Sequence, residues 1–420
     1  MRVLWSANTM PPAVAEKIGI HSMHSISWVT AMASEISKIR DIRLAIAVPG
    51  NVKALKSCIF EEIDYYIMPI DSDEMIWNSI IQEFKPDVIH AYGTEMQHNL
   101  SLIEHYVDKL PIIISLQGIL TEYQKYYYAG IPLKDILKNI TISDILLKRS
   151  IFDGKKRFIK QSAIERRMLK KVLYVEGRSS WDNAISWGIN PNLQYFHCPR
   201  MIRSSFYEHK WNSNSIDKHS IFVTQGDYPI KGIHFVLEAL SIVKEFYPDV
   251  KLYIAGKNIV ERKTVKQKLT TPGYIKYIGK IIKDLNIAEN IVFTGYLDEK
   301  QMSNLMCETS LYINSSSIEN APNSLAEAMI LGMPCIASFA GGNSEMLNDG
   351  ECGYIYRYNE PEVLAKLIIS VFEDKETAQN KAQLARTIAM KRHNPELLVD
   401  KIVGIYKEVI SDFQNRNDKV

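Results

Sequence analysis

The sequence predicts an α/β protein made of two successive doubly wound parallel-sheet domains with a cleft between them. Three observations lead there. Short apolar runs alternate with amphipathic stretches from end to end, as strands and helices do in such folds. The alternation breaks once, at 209–218, and then restarts. The 420 residues are too many for one hydrophobic core.

In the first half, strands are expected at Val3–Trp5, Leu44–Val48, Tyr65–Met68, Val88–His90, Ile112–Ser115, Leu173–Val175 and Tyr195–His197. Amphipathic helices fill the gaps, among them Ile26–Ile39 and Ser179–Trp187. HKWNSNSIDK, at 209–218, is polar and rich in turn residues and reads as the linker. Strands resume at Ile221–Thr224, Leu252–Ala255, Ile291–Thr294, Leu311–Ile313, Cys335–Ala337 and Tyr354–Tyr356, with helices over Ile233–Glu245 and Glu360–Phe372. A final amphipathic helix begins at Pro395. The expected domains are 1–210 and 219–394, followed by the helix at 395–420.

The composition narrows the partners. An apolar fraction of 46% and a charged fraction of 23% are those of a soluble globular protein, and a net charge of +2 argues against a nucleic-acid partner. The five cysteines are scattered with no metal spacing, which fits a reducing compartment. No run approaches the ~20 apolar residues of a spanning helix. The N-terminal MRVLWSANTMPP reads as a strand and a polar loop rather than a signal peptide. The expected location is cytoplasmic, with the inner face of the cell membrane as a candidate. Residues 145–172 combine a dense run of Lys and Arg with interleaved Leu, Ile and Phe, which suits either peripheral membrane contact or a solvated helix face.

The most informative stretch is SSSIENAPNSLAEAMILGMP at 315–334. Pro322 suits a first helical position, with Asn320 as the better cap, and Gly332 and Pro334 end the helix. Strands on both sides make it a βαβ unit, whose loop faces the ligand crevice. The first-turn amides of Asn323, Ser324 and Leu325 then form an anion site suited to phosphate. Glu327, about 7.5 Å further along the axis, is placed for a ribose diol. Glu319 lies on the other side, where a sugar on that phosphate would project. On spacing alone, Glu327 can equally face solvent and Glu319 can be a loop acid favouring the helix start.

Other stretches add candidates. Gln225 to Gly232 (QGDYPIKG) follows a strand and opens a helix. Lys231 opposes the dipole there, which makes sense if it meets phosphate oxygens, although a surface lysine is the alternative. Gly295 and Tyr296 end another strand, where main chain can approach a nucleobase or simply turn. Gly341-Gly342-Asn343-Ser344-Glu345 is a further glycine-rich loop. Asp71-Ser72-Asp73 resembles a metal-binding DxD but precedes a helix start, where capping is the simpler role. His21 and His24 lack a third metal partner. No GxGxxG or GxxxxGK[ST] occurs.

Together these residues resemble the retaining GT-B glycosyltransferases of family 4. Glu319 and Glu327, in the context NAPNSLAEAM and LGMP, look like that family's E-x7-E motif. Lys231-Gly232 looks like its KG element, and Phe293-Thr294-Gly295 looks like its base-binding turn. The first half is similar more loosely, through Pro11-Pro12, DVIHAYGTE at 87–95 and EGRSSWD at 176–182. The resemblance implies two Rossmann-like domains facing a central cleft. The first would bind the acceptor, with the C-terminal helix packing back on it, and the second would bind a nucleotide-diphosphate sugar. It further implies Glu319 and Lys231 as catalytic groups. Glu327, Asn323, Ser324, Leu325, Gly295, Tyr296 and Gln225 would bind the donor, and His90, Tyr92 and Glu95 would lie on the acceptor side. The arginine that relatives place five residues before the lysine is Gly226 here, and Arg178 is the candidate to replace it. The implied reaction is transfer to a saccharide or lipid-linked acceptor with retention, without a metal or other cofactor, as in bacterial capsule and exopolysaccharide synthesis. A nucleotide-sugar epimerase, a phosphorylase or a non-catalytic membrane-associated assembly subunit are the alternatives.

Overall fold

A computed structural model of the chain describes residues 1–20, 28–224, 226–261, 264, 267 and 269–418. Contacts divide the chain into two compact units. The first holds Met1–Thr121, Lys160–Arg203 and His393–Val420, and the second holds Glu122–Ile159 and Ser204–Arg392. The segment 209–218 therefore lies inside the second unit rather than between the two. Its polar residues surround Trp211, which is 8% exposed. The Trp211 indole N–H donates to the Thr309 carbonyl at 2.7 Å, and its backbone N–H donates to Leu331 at 2.9 Å.

The first unit is built on eight strands: β1 (Arg2–Ser6), β2 (Arg43–Gly50), β3 (Lys56–Phe60), β4 (Ile63–Pro69), β5 (Val88–Tyr92), β6 (Ile112–Ser115), β7 (Tyr174–Gly177) and β8 (Gln194–His197). Their order is β3-β4-β2-β1-β5-β6-β7-β8. All neighbours pair in parallel except β3 and β4. The edge strand β3 is the one the apolar pattern does not show. KSCIF packs one side only, and most of its residues are exposed. Helix Pro395–Asn417 joins this unit by burying Leu398, Ile402, Ile405, Tyr406 and Val409. The Tyr406 hydroxyl accepts from the Trp5 indole at 2.9 Å and lies 2.8 Å from His90 Nδ1.

The second unit carries β9 (Asp217–Val223), β10 (Lys251–Ile254), β11 (Ile291–Phe293), β12 (Thr309–Asn314), β13 (Cys335–Ser338) and β14 (Tyr354–Tyr356). All are parallel, in the order β11-β10-β9-β12-β13-β14. The order reverses between β9 and β12. In a doubly wound sheet, the loops leaving the carboxyl ends of such a pair form the ligand crevice. β12 is fully buried, because helices cover both faces of the sheet interior.

The segment Glu122–Ile159 sits in the first half of the sequence yet belongs to this second unit. Specific hydrogen bonds hold it there. His234 Nε2 donates to the Ala129 carbonyl at 2.9 Å, and Ser317 Oγ donates to Tyr126 at 3.3 Å. Asp144 accepts from the Gly273 N–H at 2.9 Å. The His234 ring is wholly enclosed. Burial pulls its pKa down to about 4, with the Ala129 carbonyl opposing.

That ring is neutral in the fold and titrates normally once unfolded, so its contribution is complete above about pH 6.5 and is lost as the pH falls towards 4. The shift corresponds to a few kcal/mol at most, at about 1.36 kcal/mol per unit. Melting midpoints measured from pH 7 to pH 4 should fall for the wild type and fall less for His234→Gln, whose amide can still donate. Parallel curves for the two proteins would show that this histidine does not govern the acid response.

Candidate functional site

Lys231 and Glu319 meet at the switch point of the second sheet. Lys231 ends a short turn, Pro229–Lys231, in the loop after β9, and Glu319 lies in the loop after β12. The Lys231 ammonium lies 2.7 Å from Glu319 Oε2, with side chains only 21% and 11% exposed. Burial pulls the Lys231 pKa down, but the Glu319 carboxylate and the Tyr228 phenol outweigh it, so the ammonium is held more firmly protonated than a free lysine. Glu319 also accepts from Ser316 Oγ at 3.1 Å and from the Tyr123 hydroxyl at 3.2 Å.

The local sequence explains why the two loops lie together. Gly232 adopts φ +66°, and a Cβ there would collide with the Ser315 carbonyl, so only glycine lets the loops approach this closely. Ser315 Oγ donates to the Lys231 carbonyl at 2.8 Å, and the Ser317 N–H donates to Ile230 at 2.8 Å. The serines of SSSIEN thus stitch the β12 loop onto the β9 loop. The glycine-rich loop after β13 joins them, its Gly342 N–H donating to the Glu319 carbonyl at 3.2 Å.

The helix after Glu319 runs Asn323–Leu331, with Pro322 as its cap rather than its first residue, and Gly332 closes it at φ +78°. Glu327 is 6% exposed and Glu319 is 9% exposed, so neither is a solvent-facing acid. Both carboxylates are withdrawn from water, Glu319 onto Lys231, Ser316 and Tyr123. The Leu325 N–H, expected to face an anion, instead donates to the Pro322 carbonyl at 3.1 Å. The first turn tightens there. Ser324 Oγ accepts from Tyr312 at 2.8 Å. Burial raises that phenol to about 12, so it remains a donor.

A cavity of about 330 Å³ lies in the same unit, at the carboxyl ends of β9, β10 and β11. Thr224, Asp227, Gly256, Phe293 and Tyr296 are among its walls. Gly295 has φ +78° and exchanges two backbone hydrogen bonds with Gly256, at 2.9 and 3.0 Å. Next to it, Tyr296 is 87% exposed and presents an open aromatic face. Gln225 lies outside the described residues. The cavity is large enough to hold a flat ring.

Residues expected in the first unit are distributed differently. His90 and Tyr92, expected on the acceptor side, are core residues, 0% and 2% exposed. Both project from the central strand β5 onto the face covered by helix Pro395–Asn417, their rings 4.1 Å apart. Burial, followed by the charge of Arg200, holds the His90 pKa well below its usual value. Glu95 does stand in the loop after β5, at this sheet's own reversal point between β1 and β5, and burial raises its pKa. Arg178 follows β7, where its guanidinium donates to the Gln117 carbonyl and its backbone N–H to Asp182 at 2.8 Å. Asp73 accepts from the Met75 and Ile76 amides, so the DxD-like tripeptide is a helix cap. His21 and His24 lie outside the described residues. Tyr123 was not anticipated. Nothing in the sequence near it signals that residue 123 joins the second unit.

Residues 205–387, which fall within the second unit, match the model of the glycosyl transferases group 1 family. The chain is 28% identical over 138 residues to N-acetyl-alpha-D-glucosaminyl L-malate synthase of Bacillus anthracis, a match covering 33% of this chain and 36% of that protein. The chain spans between 36% and 67% of the length of the first curated relatives it matches. Among solved structures, sucrose-phosphate synthase of Thermosynechococcus elongatus superposes with a TM-score of 0.71 at 12% identity, covering 98% of this chain and 100% of that one. Anabaena HepE, in complex with UDP, superposes with a TM-score of 0.66 at 15% identity, covering 97% and 100%. At these identities the structural likeness is one of fold, and the fold is the GT-B arrangement of two Rossmann-like domains. The family likeness is carried by the matched segment, 205–387.

Removing the Lys231 charge leaves a buried carboxylate without its cation. Lys231→Met should cost about 1–3 kcal/mol in a denaturant titration, whereas Lys231→Met/Glu319→Gln should recover most of that stability, because neither charge then remains. A Lys231→Met protein as stable as the wild type would mean that the pair is not held as described.

Proposed function

We propose that the chain transfers a sugar from a nucleotide-diphosphate sugar to a saccharide or lipid-linked acceptor, with retention of anomeric configuration, in bacterial surface polysaccharide synthesis. The observation that carries the reading is the Lys231–Glu319 pair at the switch point of a sheet whose β9, β10 and β11 open onto a cavity of about 330 Å³. Retention, membership of family 4 and the polysaccharide setting rest on the resemblance of the Glu319–Glu327 segment and of Lys231-Gly232. A UDP-type donor is consistent with the UDP held by HepE on the same fold.

In this reading the base lies in the cavity against Tyr296 and Gly295, and Glu327 accepts hydrogen bonds from the ribose diol. The diphosphate lies between Lys231 and the Asn323 and Ser324 amides. As the bond to the anomeric carbon breaks, negative charge grows on the diphosphate, and the ammonium and helix N-terminus are already oriented to stabilise it. Glu319 stands where the transferred sugar projects, with one oxygen on Lys231 and the other on Tyr123. Those same oxygens are available to sugar hydroxyls and to the positive charge that develops on the ring. A donor phosphate oxygen takes the proton of the attacking hydroxyl, so neither a protein base nor a metal is part of the scheme. The first unit, where Glu95 ends a crevice loop, is assigned the acceptor.

A thermal-shift screen against UDP-, GDP- and ADP-sugars should single out one base, since ligand at a hundredfold excess over its dissociation constant adds about 2.7 kcal/mol of apparent stability. With that donor, Glu327→Ala should mainly weaken binding, and Lys231→Ala should slow turnover by about a hundredfold or more. Product formed from donor alone would favour an epimerase. Wild-type kinetics in both variants would remove the site assignment.

A further inference from the structure

Helix Ile142–Leu147 is inside out. Its polar residues Ser143 and Asp144 are buried, while Ile142, Ile145, Leu146 and Leu147 are 59–77% exposed. Hydrogen bonds impose this orientation. Asp144 accepts from the Thr141 N–H at 3.0 Å, closing a capping box, and from the Gly273 N–H at 2.9 Å. Thr141 Oγ1 donates to the Thr271 carbonyl at 3.1 Å. With the polar face committed inward, the aliphatic face is held outward.

The preceding helix, Leu133–Asn139, also exposes aliphatic side chains. Ile136 and Asn139 turn inward, and Leu133 and Leu137, one turn apart, are 57% and 60% exposed. Six large aliphatic side chains are therefore exposed within the fifteen residues from 133 to 147. Scattered single apolar residues are ordinary on a surface, but a cluster of this kind marks a contact.

The exposed charges within 133–148 have one sign. The exposed charged residues of 133–148 are Lys134, Lys138 and Lys148, whereas Asp135 is half-buried and Asp144 is buried. A second copy of this chain packed across a two-fold axis would set these lysines against themselves. Among the described residues no helix is long and apolar enough to cross a membrane, so the surface suits lying on a bilayer rather than spanning one. The expected membrane region, 145–172, overlaps this surface only at its start. In the following helix, Ile151–Leu169, Phe152 and Phe158 pack on Tyr128 and Tyr127 at 5.8 and 4.8 Å, and Ile159 is the exposed exception.

We propose that residues 133–148 dock on an anionic lipid surface. Leu133, Leu137, Ile142, Ile145, Leu146 and Leu147 enter the acyl boundary, and Lys134, Lys138 and Lys148 meet the headgroup phosphates. The proposal does not depend on the transferase reading, since it needs neither donor nor acceptor.

The test is co-sedimentation of the full chain with vesicles of phosphatidylcholine alone and of phosphatidylcholine mixed with phosphatidylglycerol. The wild type should bind the mixed vesicles at least about tenfold better than the neutral ones, and high salt should reduce the difference. Ile145→Ser/Leu146→Ser should lower binding to both. Lys134→Glu/Lys138→Glu should remove the preference for phosphatidylglycerol. Because the altered side chains face solvent, melting midpoints and nucleotide-induced shifts should stay at wild-type values, which separates a docking defect from misfolding. Wild-type chain left in the supernatant of both vesicle types overturns the proposal, as does equal binding by wild type and both variants. So does a dimer, seen by analytical ultracentrifugation, that Ile145→Ser/Leu146→Ser abolishes, because the surface would then be a self-interface.

Discussion

A lysine ammonium withdrawn from water needs a counter-charge, and in the second unit that constraint joins the two loops on which everything else rests. Lys231 follows β9 and Glu319 follows β12, the two strands between which the sheet order reverses. Their pairing brings the residues after two separate strands to one point. Gly232 makes the approach sterically possible, and the serines at 315 and 317 fix it with hydrogen bonds to main-chain carbonyls. The pair is only partly shielded, so its net contribution to stability is modest while its geometry is well defined. A charge pair of that kind is better suited to exchanging partners with an anionic ligand than to holding a core together.

The first unit buries charge for a different purpose. Arg200 reaches Glu176 at 2.7 and 2.9 Å, both fully enclosed, with Ser115 bonded to each. Next to them, His90 and Tyr92 meet the C-terminal helix through Tyr406. Every donor in this cluster is occupied by core partners or shielded from solvent, and the result is a registered fit between strand β5 and the last helix. Burial of the same residue types therefore has opposite meanings in the two units. Lys231 stands in a loop at the sheet's switch point, whereas His90 lies on a strand covered by the last helix.

The alternation of apolar runs was enough to place thirteen of the fourteen strands among the described residues, because strands covered on both faces must be apolar throughout. The missing one, β3, is an edge strand with little to bury. The site loop was legible for a related reason. The proline and glycine mark the helix ends, and both acids of that segment are buried. The His90 and Tyr92 readings failed because a polar residue at the end of a strand looks the same in sequence whether it faces a crevice or a packed helix. The helix that covers them lies more than three hundred positions away in the chain.

The sequence by itself determined the fold class, the two rounds of strand–helix alternation and the candidate roles of Lys231, Glu319 and Glu327, since these follow from local periodicity and the physical chemistry of helix ends. Only the tertiary structure decided that Glu122–Ile159 joins the second unit, that Tyr123 bonds Glu319, that Leu325 turns its amide inward, and that Ile142–Leu147 shows its apolar face outward. Each of these depends on a hydrogen bond or contact whose partner is set by packing rather than by spacing. Asp144 makes the point: the capping box is visible in ISDILL, but the Gly273 amide that turns the helix over is 129 residues away.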